Sequence, residues 1–190
     1  MKKMVLISVL FSLFACGQKI YKLKKNEHGE PQLNDRAKYT FTKTPTAEDL
    51  AKIDTAAFYI QVFERRYYNE DEKRNPMILI FHNDGFVKKE SLLYFGKFDK
   101  VRTKNSIYYG GRYEMNGNDI EIESFVSSPD AGNWYHTFIQ KGKLEGDKIV
   151  FSEPGLITVF EKKENFPKLR SKYVGRLYAT IGKGWNLALI

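Results

Sequence analysis

Gly110-Gly111-Arg112-Tyr113-Glu114-Met115-Asn116-Gly117-Asn118-Asp119-Ile120-Glu121-Ile122-Glu123 is the stretch that decides the fold. Two runs rich in β-branched and aromatic residues, 107–115 and 120–125, flank a cluster of Asn, Gly and Asp, the residue types that reverse a chain at low cost. In Ile120-Glu121-Ile122-Glu123, apolar and acidic side chains alternate with the period of a strand, so the isoleucines are expected to face a core and the glutamates water. The expected unit is a hairpin with one dry and one wet face.

The same pattern extends in both directions. Upstream, 58–64, 77–81, Phe86-Val87 and 92–98 read as strands, with Asp84-Gly85 as a hairpin turn whose residues both tolerate positive φ and a charged loop over 69–75. Downstream, 134–144, 149–151 and 156–160 follow one another across Glu145-Gly146-Asp147 and Pro154-Gly155. Consecutive strands joined by short turns without intervening helices are antiparallel neighbours. An open sheet of this size leaves two edges exposed, so closure gives the preferred architecture: mainly β, a single antiparallel up-and-down barrel, with a two-sheet sandwich as the alternative. Gly110-Gly111 inside a strand permits the sharp coiling that a small barrel needs. Thr46-Ala47-Glu48-Asp49 has the form of a capping box ahead of Leu50 and Ile53, which predicts a short N-terminal helix across one end of the sheet. Residues 173–181 read as a last strand or a wrapped extension.

The N-terminus carries a different message. Lys2 and Lys3 precede an apolar stretch over 5–14, too short for the roughly 20 residues of a membrane-spanning helix. Leu13-Phe14-Ala15-Cys16 resembles the lipobox of bacterial lipoproteins, which implies cleavage before Cys16 and acylation of that residue. Multiple acyl chains on one residue would make release from a membrane slow. An ordinary secretory signal peptide with a chance cysteine is the alternative, because Ala15 suits both processing routes. In such lipoproteins Asp after the cysteine retains the protein at the inner membrane; Gly17 stands here, and the resemblance therefore implies the outer membrane. The expected organisation is a signal peptide over 1–15, a lipidated cysteine and flexible tether over 16–45, and a barrel domain over 46–190. Tyr39 and Phe41 are candidates for a first edge strand at the tether's end.

Composition bounds the rest. The chain has 190 residues and a net charge of +8, with its cations dispersed among Glu and Asp, which favours solubility charge over one dedicated anionic partner. Cys16 is the only cysteine, so no disulfide within the chain is available, and 14 Phe and 12 Tyr must supply the bulk of the core. Lys97, Lys100, Arg102 and Lys104 crowd one loop, read as solvated or as resting on anionic headgroups; no nucleic acid is expected outside the cytoplasm.

Gly111-Arg112-Tyr113, the 116–119 turn and the run Gly142-Lys143-Leu144-Glu145-Gly146-Asp147-Lys148-Ile149-Val150-Phe151 resemble the hairpins of lipocalin-like domains in small bacterial lipoproteins, over residues 54–162. The resemblance implies a cup for a small apolar or amphipathic ligand and carries no catalytic residue across. Aromatics on two strands could flank one cavity, and His136 shares a face with Trp134 and Phe138, so Tyr109, Tyr113, Trp134, His136 and Phe138 form the candidate ligand site. The alternative is a barrel filled by these side chains, with His136 satisfied by a neighbour.

His28 reads as solvated and His82 as part of a turn. No His-Glu-x-x-His, Cys-x-x-Cys or Gly-x-Ser-x-Gly pattern occurs, and Gly182-Lys183-Gly184 lacks the spacing of a phosphate loop. No metal, cofactor or catalytic residue is therefore expected. The expected function is non-enzymatic: a lipid-anchored cell-envelope protein, at the outer membrane, that binds a small apolar or amphipathic ligand or an envelope component. The alternative is an interaction module presenting loops 69–75 and 126–133 to a protein partner.

Overall fold

Each alternating stretch meets the next across a short turn, and the last meets the first. A computed structural model of the protein describes residues 19–64, 69–127 and 134–165. In chain order the elements are β1 (Tyr21–Lys22), α1 (Ala47–Lys52), β2 (Phe58–Val62), α2 (Glu70–Arg74), β3 (Met77–Phe81), β4 (Phe86–Ser91), β5 (Gly110–Asn116), β6 (Asp119–Ser127), β7 (Trp134–Glu145), β8 (Lys148–Glu153) and β9 (Leu156–Lys163). From β2 onward every strand pairs antiparallel with its successor, and β9 returns to β2 through pairs such as Gln61↔Phe160, so eight strands close into one barrel. Closure sets aside the sandwich. The barrel is compatible with a lipocalin-like fold, as expected, and β1 adds to the start of β7 through Tyr21↔Tyr135.

Residues opposed across a ladder share a face, and the inward face is apolar in one half of the barrel. Tyr59, Leu79, Phe81, Val87, Tyr113, Ile120, Ile122, Ile149, Phe151 and Phe160 pack there with Ile53, which follows α1 and closes that end. Rings meet edge to face, with centroids 5.3 Å apart for Tyr59 and Phe81 and 5.0 Å for Phe81 and Tyr113. The expected capping box forms: Thr46 Oγ1 accepts from the Asp49 N–H and Asp49 accepts from the Thr46 N–H. Gly110, at φ +148°, and Gly111 bend β5 where a Cβ at either position would lie 2.3 Å from a carbonyl oxygen of the neighbouring strand.

The outer wall departs from expectation. From Tyr21 to Phe41 the segment expected to be a flexible tether packs against the barrel, where Leu23, Ala37 and Tyr39 join Ile107, Phe125 and Tyr135 in a second apolar cluster. Tyr39 and Phe41 form no strand. The backbone there crosses β6 and donates to Glu123, from Thr40 N–H at 2.6 Å and Phe41 N–H at 2.9 Å, with the Thr40 hydroxyl at 3.1 Å. Glu123, expected in water, is consequently 1% exposed. Glu121 keeps the expected solvent face and pairs with Lys141 at 2.7 Å.

A second tie comes from the loop after β4. Arg102 bridges Glu30, at 3.1 Å, and Glu90, at 3.0 Å, while the Ser106 hydroxyl donates to Glu30 at 2.6 Å. Burial alone would push the Glu30 carboxyl up, but the hydrogen bonds from Arg102 and Ser106 and the guanidinium charge outweigh it and hold Glu30 below its usual 4.5. Two of the four cations expected to face water or headgroups are thus engaged within the fold, Arg102 here and Lys104 with Asp84.

Several local expectations are corrected. Residues 92–98 are not a strand: β4 runs to Ser91 and a 3-10 turn over Leu92–Tyr94 follows. The charged loop over 69–75 contains α2, started by a capping box between Asn69 and Glu72. Ile107–Tyr109 is a 3-10 turn, with β5 beginning at Gly110. Of the Asp84-Gly85 pair only Gly85 has positive φ, +83°, as in a three-residue hairpin loop. Cys16, the signal peptide, residues 128–133, the 173–181 segment and Gly182-Lys183-Gly184 lie outside the described residues.

Candidate functional site

One step of two residues along each strand leads from the packed layer to a different one. Tyr59 leads to Gln61, Val87 to Lys89, Ile122 to Ser124, Gly142 to Gln140, Phe151 to Glu153 and Phe160 to Thr158. Strand periodicity keeps each of these on the inward face, and the register agrees: Lys89 opposes Leu79, Gln140 opposes Ile122, and Thr158 opposes Phe151. The first layer is buried apart from half-buried Gly142, whereas all six members of the second are half-buried, as are Met77 and Leu156 near them. Among the described residues the inward face is tightly packed in one half of the barrel and only half-buried in the other, where a polar ring lies above an apolar floor; this end is the candidate cup.

Two charges belong to the ring. Lys89 stands on β4 and Glu153 on β8, four strands apart in a ring of eight, so they face each other from opposite walls. Gln140 Nε2 donates to Glu153 at 3.0 Å, and Gln61 Oε1 accepts from the Met77 N–H at 3.1 Å. Burial pushes the Lys89 ammonium below its usual 10.5, and the opposing charge of Glu153 only partly offsets this. Among the described residues the Lys89 ammonium has neither a hydrogen bond nor an ion pair, although its backbone belongs to the β3–β4 ladder.

The five residues picked out by sequence are divided by the barrel. Phe138 lies one step beyond Gln140 on the inward face of β7 and opposes Ser124, so it stands at the mouth of the cup, 39% exposed. His136 and Trp134 continue along the same face, as expected; His136 is half-buried, and Trp134 lies past the rim with Lys22 Nζ 6.0 Å from its ring. Tyr113 is instead part of the plug, fully buried, and donates its hydroxyl to the His82 carbonyl at 2.9 Å. Tyr109 sits outside the barrel, its hydroxyl 2.7 Å from His82 Nε2 and its phenol pushed up to about 12 by burial. His82 itself is held below its usual 6.5 by burial and by the charge of Lys104.

Sequence reasoning missed Lys89, Gln140, Glu153 and Thr158. The available signal was parity: Lys89 is two residues from Val87, and an unbroken strand over 86–91 would have turned it inward.

The outer surface has concavities of its own. A groove of about 850 Å³ runs along β5 to β8, but its rim is tied by the Lys141–Glu121 and Lys143–Asp119 pairs and it opens broadly to solvent. A smaller one, about 330 Å³, lies beside Tyr39 and Arg112, whose buried hydroxyl and Nε lack partners among the described residues. Among the described residues no group of three or more His, Cys, Asp or Glu is placed to hold a metal, and no helix is long and apolar enough to cross a membrane. No family model, curated protein or solved structure matches the chain.

Proposed function

We propose that the protein is a non-enzymatic binder of a small amphipathic molecule, moored in the cell envelope through an acylated Cys16 and sorted to the outer membrane. One observation supports the binding role above the others: the inward face is fully buried in one half of the barrel only, and the other half combines half-buried hydrogen-bonding groups with Phe138 and Leu156 beyond them. Concave sites that join apolar surface to placed polar groups are where small ligands are taken up, and here a polar ring stands between an apolar floor and an apolar mouth. The lipobox resemblance of Leu13-Phe14-Ala15-Cys16 supports the mooring.

Native mass spectrometry of the full chain purified from its own host tests the first part. A co-purifying molecule of a few hundred daltons is the expected result, and an empty protein that also takes up no amphiphile would overturn it. Globomycin treatment tests the second: accumulation of a longer, unacylated precursor is expected, and an unchanged mass would end the lipoprotein reading.

A further inference from the structure

We infer that the cup selects amphiphiles with a negatively charged head group, which Lys89 receives from the wall of β4 while the apolar body lies toward Phe138 and Leu156. This rests on the cup reading above and narrows it to one ligand chemistry.

The two charged residues of the ring are not equivalent. Glu153 has a donor in Gln140, whereas Lys89 has no partner among the described residues although it is turned into the barrel beside Leu79. A lysine turned into the barrel gives up hydration, and among the described residues no hydrogen bond or ion pair to its ammonium replaces it; burial outweighs the attraction of Glu153 across the ring. An anion in contact with the ammonium would do so at hydrogen-bonding distance, and a charge-assisted bond in this setting is stronger than one between neutral groups. The repulsion from Glu153 acts from the far wall and is therefore the weaker effect, since Coulomb energy falls with distance. A cationic head group would meet the reverse arrangement, with Lys89 repelling it and Glu153 already engaged. The floor below the ring is closed by Tyr59, Phe81 and Tyr113, so a ligand can reach Lys89 only with its polar end leading and its apolar body toward the mouth.

Isothermal titration of the full chain with 4-phenylbutyrate and with 4-phenylbutanol isolates the head group, because the two share one apolar body. The carboxylate is expected to bind at least about tenfold more tightly than the alcohol, and acetate alone at least about tenfold more weakly than phenylbutyrate, which distinguishes an amphiphile from a free anion. Lys89→Met should abolish the preference for the carboxylate while leaving the alcohol's affinity in place, Lys89→Arg should keep it, and Glu153→Gln should keep or increase it. Equal affinities for acid and alcohol in the parent, or a preference that survives Lys89→Met, would overturn the inference and leave the cup standing. Binding of neither compound by the parent would remove the cup and the inference with it.

Discussion

Two apolar clusters hold this protein together, and they are built differently. The inner one is made by strand residues with Ile53 at its end: Tyr59, Phe81, Tyr113, Ile122 and Phe160 come from different strands and meet without a carboxylate or ammonium among them. The outer one is made by residues 21–41 laid over β6 and β7, and it is flanked by ionised groups, Glu123 beneath the backbone of Thr40 and Phe41 and Glu30 beneath Arg102. Ile122 and Glu123 are adjacent in sequence and both buried, Ile122 within the inner cluster and Glu123 beside the outer one, beneath Thr40 and Phe41. Burial of apolar area suffices where the chain closes on itself, whereas a covering segment with few apolar residues is fixed by directed bonds to its backbone.

The inner cluster carries the largest expected loss. Phe81→Ala should cost about 3–5 kcal/mol, because the ring touches both Tyr59 and Tyr113 and the barrel cannot collapse around the void; urea unfolding followed by circular dichroism reads this. Glu123→Ala should cost about 2–3 kcal/mol, since it leaves the Thr40 and Phe41 N–H groups without their acceptor. Amide exchange over 21–41 should then quicken more than exchange in β3, and uniform quickening would show that the two clusters are one cooperative unit.

Acid sharpens the same contrast. Because folding lowers the Glu30 carboxyl below 4.5, its contribution is complete above that value and is lost as pH falls through the folded-state value. Exchange over 21–41, corrected for the intrinsic rate, should therefore rise in this window before that of the inner strands, and Glu30→Gln should remove the Glu30-dependent part of the pH step. The smallest effect belongs to Glu121→Ala: its partner Lys141 is largely exposed, so stability should change by less than about 0.5 kcal/mol, against the larger loss two residues away at Glu123. A cost at Glu121 equal to that at Glu123 would mean that the covering segment does not discriminate the two.

What was legible follows from what period-two reasoning can see. The strands and closure were readable because Ile120 and Ile122, or Leu79 and Phe81, repeat with the pleat and the turns carry Gly, Asn and Asp. Alternation states only that Glu123 points away from Ile122; whether water or another segment waits there depends on contacts made more than 80 residues away in sequence, with Thr40 and Phe41. The apolar content of residues 21–41 is low, so nothing local announced that the segment would pack. At the candidate site the aromatic residues drew attention, and Phe138 does reach the cup, but Tyr113 fills the core and Tyr109 lies outside. Charged residues ordinarily mark the end of a strand, yet β4 carries Lys88, Lys89 and Glu90 without a break, and that continuity is what turns Lys89 inward.

The pairing of Tyr21 with Tyr135 has a geometric consequence for a lipidated chain. Five residue steps separate Cys16 from Tyr21, a span of at most about 18 Å even at full extension. β7 begins at the half-buried end of the barrel, so acyl chains on Cys16, if carried as proposed, would hold that end toward the lipid surface at short range, within reach of molecules leaving the bilayer. Quenching of Trp134 fluorescence by brominated lipid would report the proximity, and emission indifferent to bromine would mean that the barrel stands away from its membrane.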